Sequence, residues 1–179
     1  MGSVIPRAGG KRNKLIYLAI FAVYAIAAYA FIAIGLQPVR SADAAYAEES
    51  TQADATLNID SIGLTAPVMQ STLTGNELSV PDQIAASYSA AEHKILIFGH
   101  SSTIFQNLHN IKNGNIVNYH DQDYRVVTIT EKLKSDVSMS EILAPANKDT
   151  IILMTCSGDQ IPNSNGDHTH RLIITAESL

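Results

Sequence analysis

The sequence predicts a mainly β domain, closed into a barrel with short helices and preceded by one N-terminal transmembrane helix. Three observations carry this. Between Thr56 and the C-terminus, short strand-like runs recur at close spacing with turn signals between them. The run Thr150–Thr155 is apolar nearly throughout, as a central strand covered on both faces would be. And Leu15–Leu36 holds 22 residues without a charge, about 33 Å as a helix, enough for a bilayer core.

Residues 1–14 read as a basic cytoplasmic tail. Arg7, Lys11, Arg12 and Lys14 flank the N-terminal end of the apolar run, so that end stays inside and the remainder faces outward. Two A-x-A triplets follow at Ala42–Ala44 and Ala45–Ala47. A secretory h-region is only about 7–15 residues long, so a retained anchor over residues 15–36 is favoured over a cleaved signal. Residues 37–55, rich in Ala, Ser and acids, lack hydrophobic periodicity and read as a linker. The folded domain is placed at residues 56–179.

Within it, Leu57–Ile62 alternates, and Leu64–Met69 follows Gly63, with Pro67 suggesting an edge. Lys94–Gly99, Ile116–Tyr119, Tyr124–Glu131, Thr150–Thr155 and Arg171–Ala176 are the further strands, and Asp121-Gln122-Asp123 is a tight hairpin. Short helical stretches are expected at Ser102–His109 and Ser138–Leu143. The polar stretch Ser157–His170 reads as a loop walling a groove.

The chain of 179 residues carries a net charge of −5, unevenly spread. Five of its twelve basic residues and none of its seventeen acidic ones lie in residues 1–40, which leaves the remainder at −10. Such a domain repels phosphates, so a nucleic-acid role is disfavoured. A single cysteine, Cys156, excludes an intrachain disulfide and leaves an odd thiol in an outward-facing domain.

That thiol closes one apolar run, His100 closes another (Ile95-Leu96-Ile97-Phe98-Gly99-His100), and Arg171 opens a third. At strand termini such side chains can meet on the rim of a sheet. They are the parts a cysteine nucleophile needs: a base or acid beside it and a cation for the developing oxyanion. Taken singly, each has a plainer reading. Cys156 could be a small buried hydrophobe, His100 a loop residue, and Arg171 a surface cation pairing with Asp167 or Glu177.

Taken together they resemble the sortases, the membrane-anchored cysteine transpeptidases of bacterial surfaces. The family's T-L-x-T-C is matched by Ile152-Leu153-Met154-Thr155-Cys156, with isoleucine for the first threonine, its strand-end G-H by Gly99-His100, and its last-strand arginine by Arg171. Phe105-Gln106-Asn107-Leu108 and Lys112-Asn113-Gly114-Asn115-Ile116 add smaller echoes, and the likeness covers residues 57–179.

The resemblance implies an eight-stranded barrel, catalysis by His100, Cys156 and Arg171, and a substrate contact or thiol-orienting role for Thr155. It implies cleavage of an LPxTG-like sorting signal through a thioacyl-enzyme and transfer of the surface protein to a peptidoglycan or lysine amine. No cofactor is required. Some sortases bind calcium, and Glu131, Asp136 and Glu141 are the candidate acids here, although they form no recognisable calcium loop. A zinc site from Cys156, His168 and His170 lacks a fourth ligand at a suitable spacing. The missing Asp-Pro-aromatic lid motif, together with the lack of a second apolar segment after Ala176, weighs against a pilin-polymerising subtype. Two rivals remain: a cysteine peptidase that gives the acyl group to water, and a non-catalytic membrane-tethered β-domain that binds wall or partner protein.

Overall fold

A computed structural model describes residues 50, 52–74, 77–164 and 166–179. The expected tail and anchor, and all of the linker before residue 50, lie outside the described residues. Among the described residues no helix is long and apolar enough to cross a membrane.

The described chain runs β1 (Ala55–Ile59), β2 (Leu64–Gln70), β3 (Leu73–Thr74), β4 (Glu77–Leu78), β5 (Ala85–Ala91), β6 (Lys94–Phe98), β7 (Ile116–Tyr119), β8 (Gln122–Leu133), α1 (Met139–Ile142), β9 (Thr150–Gln160) and β10 (His168–Ser178). Eight of these strands close a barrel in the order β1-β2-β5-β6-β9-β10-β8-β7, while β3 and β4 form a small separate hairpin. All neighbours are antiparallel except β2–β5 and β6–β9. Only Leu57↔Tyr119 and Asn58↔Asn118 join β1 to β7, so closure rests on two residue pairs.

Alternation fills the interior. Leu57 and Ile59 of β1, Leu64, Ala66 and Val68 of β2, Tyr124 and Val126 of β8, and Ile174 and Ala176 of β10 are all buried in one cluster with Ile151 and Leu153. The other face of β9 is covered too. Ile152 packs with Ala86, Leu96 and Phe98 in a second cluster on the outside of the barrel, flanked by Ile142 and Leu143 from the connection that carries α1. A near-continuous apolar strand is therefore what this position demands.

Several expectations from sequence are corrected. Pro67 does not mark an edge: β2 lies between β1 and β5, and its ladder with β5 starts at Val68, just after the residue that lacks an N–H. The strand β5, AASYSAA, carries little strand propensity. It forms because Ala85 and Ala86 are small enough to be wholly buried, with Ala86 opposite Phe98. The β7–β8 loop is His120-Asp121, both at positive φ (52° and 59°), which gives the two-residue hairpin geometry that matches strand twist. Ser102–His109 forms no α-helix, only turns and a single 3₁₀ turn over Leu108–Asn110.

Half of the supposed loop Ser157–His170 is strand. β9 runs on to Gln160 and β10 starts at His168, which leaves only residues 161–167 as the connection. A bulge near Gly158 (φ 71°) offsets the register between His168↔Gln160 and His170↔Ser157.

Candidate active site

The cleft exists because two parallel neighbours differ in length. β6 pairs with β9 from Lys94↔Thr150 to Phe98↔Met154 and then ends. The chain turns at His100, whose carbonyl accepts from the backbone N–H of Phe105 (3.1 Å). β9 continues six residues past Met154 against β10 alone, so its β6 side is unpaired from Thr155 onward. A cleft of about 150 Å³ opens there, lined by Val80, Phe98, Gly99, His100, Met154, Thr155, Cys156 and Arg171.

The three residues singled out from sequence thus share one cleft. Cys156 and His100 are both partly exposed. Cys156 and Arg171 are Cα partners across the β9–β10 ladder, so their side chains leave the same face. Only His100 stands just beyond a strand end; Cys156 and Arg171 lie inside their strands, because the hairpin extends beyond the barrel wall.

Thr155 is buried, and its hydroxyl donates to the Gly99 carbonyl at 2.7 Å. This bond fastens the residue before the cysteine to the residue before the histidine. Gly99 leaves no room for a side chain: a Cβ would stand 2.7 Å from Ile104 Cγ2 and 3.3 Å from Phe105 Cδ2.

Arg171 is held more firmly than an exposed cation. Its Nη1 donates to the carbonyls of His168 (3.0 Å) and His170 (2.9 Å), and its Nη2 donates to Asp167 Oδ1 (2.7 Å). Asp167 also accepts from Lys134 Nζ and from the backbone N–H of His168 (2.9 Å). Donation from Lys134, then from Arg171, holds its carboxyl well below the usual carboxylate range. The pairing of Arg171 with Asp167 was legible at i,i+4 as the plain alternative. Lys134 was not, because only the β8–β10 pairing brings it near.

A larger groove of about 600 Å³ lies beside the β1–β7 closure, lined by Asn58, Asp60, Asn118 and Asp123 among others. Its lining includes Asp60 and Ser61 but neither cysteine nor histidine, whereas the smaller cleft holds both. Among the described residues no group of three or more His, Cys, Asp or Glu is placed to hold a metal ion; Glu131, Asp136 and Glu141 form no such cluster.

Comparison with known proteins agrees with this architecture. The Sortase domain family model matches residues 57–179. The chain belongs to the sortase family. Among solved structures, sortase A of Listeria monocytogenes superposes with a TM-score of 0.53 at 16% identity, over 72% of this chain and 88% of that one. A lid mutant of sortase A from Corynebacterium diphtheriae gives 0.53 at 25% identity, over 70% of this chain and 69% of that one. Sortase C1 of Streptococcus agalactiae gives 0.55 at 15% identity, over 72% and 68%. At such identities the structural likeness speaks to the fold of this sortase domain. A search of curated proteins gave no match.

Proposed function

We propose that this sortase is a cysteine transpeptidase that cleaves an LPxTG-like sorting signal and transfers the acyl portion to an amine. The observation that carries the reading is the shared cleft: a thiol, an imidazole and a guanidinium line one opening, with the thiol and guanidinium on paired residues.

In this reading the Cys156 thiolate attacks the threonyl (or similar) carbonyl, forming a C–S bond and a tetrahedral oxyanion. Arg171, always charged, stabilises that oxyanion. His100 as imidazolium gives its proton to the departing amine while the C–N bond breaks, which leaves a thioacyl-enzyme and a neutral imidazole. An incoming amine then attacks the thioester, His100 takes its proton, and the thiolate leaves. Thr155 supports one wall of the cleft. The acyl donor is a surface protein with a C-terminal sorting signal, and the acceptor is a peptidoglycan or lysine amine. The uncharged Leu15–Leu36 run and its basic flank support a single-pass anchor with the tail inside and the catalytic domain outside. Protease protection of the C-terminal domain in intact cells would contradict that topology.

The test is to incubate the full-length protein with an LPxTG-type peptide library and triglycine, and to follow products by mass spectrometry. An acyl adduct on Cys156 and a triglycine-capped product are expected. Hydrolysis products alone would reassign the protein as a peptidase, and an absent adduct would favour a non-catalytic tethered β-domain.

A further inference from the structure

Arg171 has more partners than a residue reserved for substrate needs, and they are chosen in a particular way. A guanidinium has five N–H donors. Nη1 serves two backbone carbonyls and Nη2 serves Asp167, which leaves Nε–H and the second Nη2–H with no partner among the described residues. The side chain is 16% exposed and lines the cleft. Its long, flexible stem is thereby fixed, and two donors stay uncommitted.

The carboxylate that fixes it is itself anchored. The Ser164 hydroxyl donates to the Ile161 carbonyl (2.7 Å) and accepts from the Asp167 backbone N–H (3.1 Å), while the Ile161 N–H donates to the Asp167 carbonyl (2.8 Å). Lys134, in the turn that follows β8, takes the second carboxylate oxygen. Two cations share one anion, so the group retains a net positive charge beside the thiol. A lone Asp–Arg pair would be neutral there.

We infer that Asp167 is a positioning residue for Arg171: by pinning Nη2 while Lys134 offsets its charge, it holds the guanidinium ready for an oxyanion formed at Cys156. This rests on the catalytic reading above. Preorganised donors act because they need no reordering as charge develops, so loss of the pin should appear in turnover more than in ground-state binding.

The experiment measures kcat and KM of full-length wild-type, D167A, D167N and K134A proteins with a sorting peptide and triglycine, alongside R171K and R171K/D167A. D167A should lower kcat about 10–100-fold with KM changed less than about threefold. D167N, which keeps an acceptor of the same shape, should fall between D167A and wild type. In the R171K background D167A should cost less than about twofold, because the geometry it protects is already gone. K134A keeps the pin but leaves a neutral Arg171–Asp167 pair beside the thiol, so it should lower kcat by less than D167A does, with KM little changed. A K134A rate equal to wild type would remove the charge-offset role of Lys134.

An equal fractional loss from D167A in both backgrounds would make Asp167 a merely structural residue and overturn the inference. A D167A rate within twofold of wild type, or faster, would do the same, the faster case making the carboxylate a brake on Arg171. If D167A fails to fold, D167N decides by the same criteria. An inactive wild type would instead defeat the catalytic reading, and the inference would fall with it; an active wild type with an indifferent D167N removes only the role of Asp167.

Discussion

The hydroxyl of Thr155 donates to the carbonyl of Gly99, and this one buried bond ties the strand that carries Cys156 to the chain end that carries His100. β6 has already ended at Phe98, and beyond that pair the backbones are joined only by the Gly99 N–H donating to the Met154 carbonyl at 3.4 Å. The site is therefore framed by a short side-chain bond beside a longer backbone one, where the sheet gives out.

Removing the reacting groups should separate chemistry from folding. Cys156→Ala and His100→Ala are expected to abolish turnover, and Arg171→Ala to lower it by about 10²–10³-fold, the usual loss for an oxyanion donor. Far-ultraviolet circular dichroism should be unchanged in all three. Near-wild-type turnover in any of them would count against the assignment.

Thr155→Val keeps the shape and deletes the donor, which leaves a buried carbonyl unsatisfied. A loss of about 1–3 kcal/mol in urea unfolding is expected, with reduced turnover. Thr155→Ser retains the donor and should recover most of both. Equal behaviour of the two variants would show that the bond is incidental.

Gly99→Ala inserts a methyl against Ile104 and the buried ring of Phe105. Overpacking of this kind costs about 1–3 kcal/mol, and here it pushes on the residue next to His100. Turnover should fall further than the stability loss alone accounts for. The Ile104→Ala/Gly99→Ala double variant, which vacates the 2.7 Å contact, should regain activity relative to Gly99→Ala.

His93, in the β5–β6 turn, pairs through Nδ1 with Asp149 Oδ1 at 2.7 Å. That hydrogen bond raises its pKa above the ordinary histidine value, with a smaller contribution from Glu92. A group whose folded pKa is raised adds stability below its unfolded pKa, near 6.5, and loses it as pH climbs through the folded value. The sign for His93 is thus stabilising in mild acid and fading upward. Proton NMR titration should place His93 above 6.5 and return it toward that value in Asp149→Asn; an unchanged titration would refute the pairing.

Much of this was written in the residues. Apolar alternation and turn chemistry marked seven of the eight barrel strands, and the β7 range coincides with its sequence reading. The eighth, β5, stayed hidden because its small residues matter only once Phe98 lies opposite them. The cysteine, histidine and arginine stood out by residue type and order. The bonds that frame them did not, because Thr155 finds Gly99, and Lys134 finds Asp167, only through strand pairing that a local pattern does not encode. The polar half of the β9–β10 hairpin misled for a related reason: beyond the barrel its residues are partly or fully exposed and polar, so it resembles a loop in composition while keeping its ladder.

The two-rung closure between β1 and β7 sits three strands from β6 in one direction and three from β9 in the other, diametrically across the cylinder from Cys156. Breathing of the wall should start at that thin weld, where the fewest backbone bonds must part, and amide protons there should trade with deuterated solvent soonest. The opposite rim is thereby insulated: transient gaping on the far side should leave sulfur, ring and guanidinium in registry.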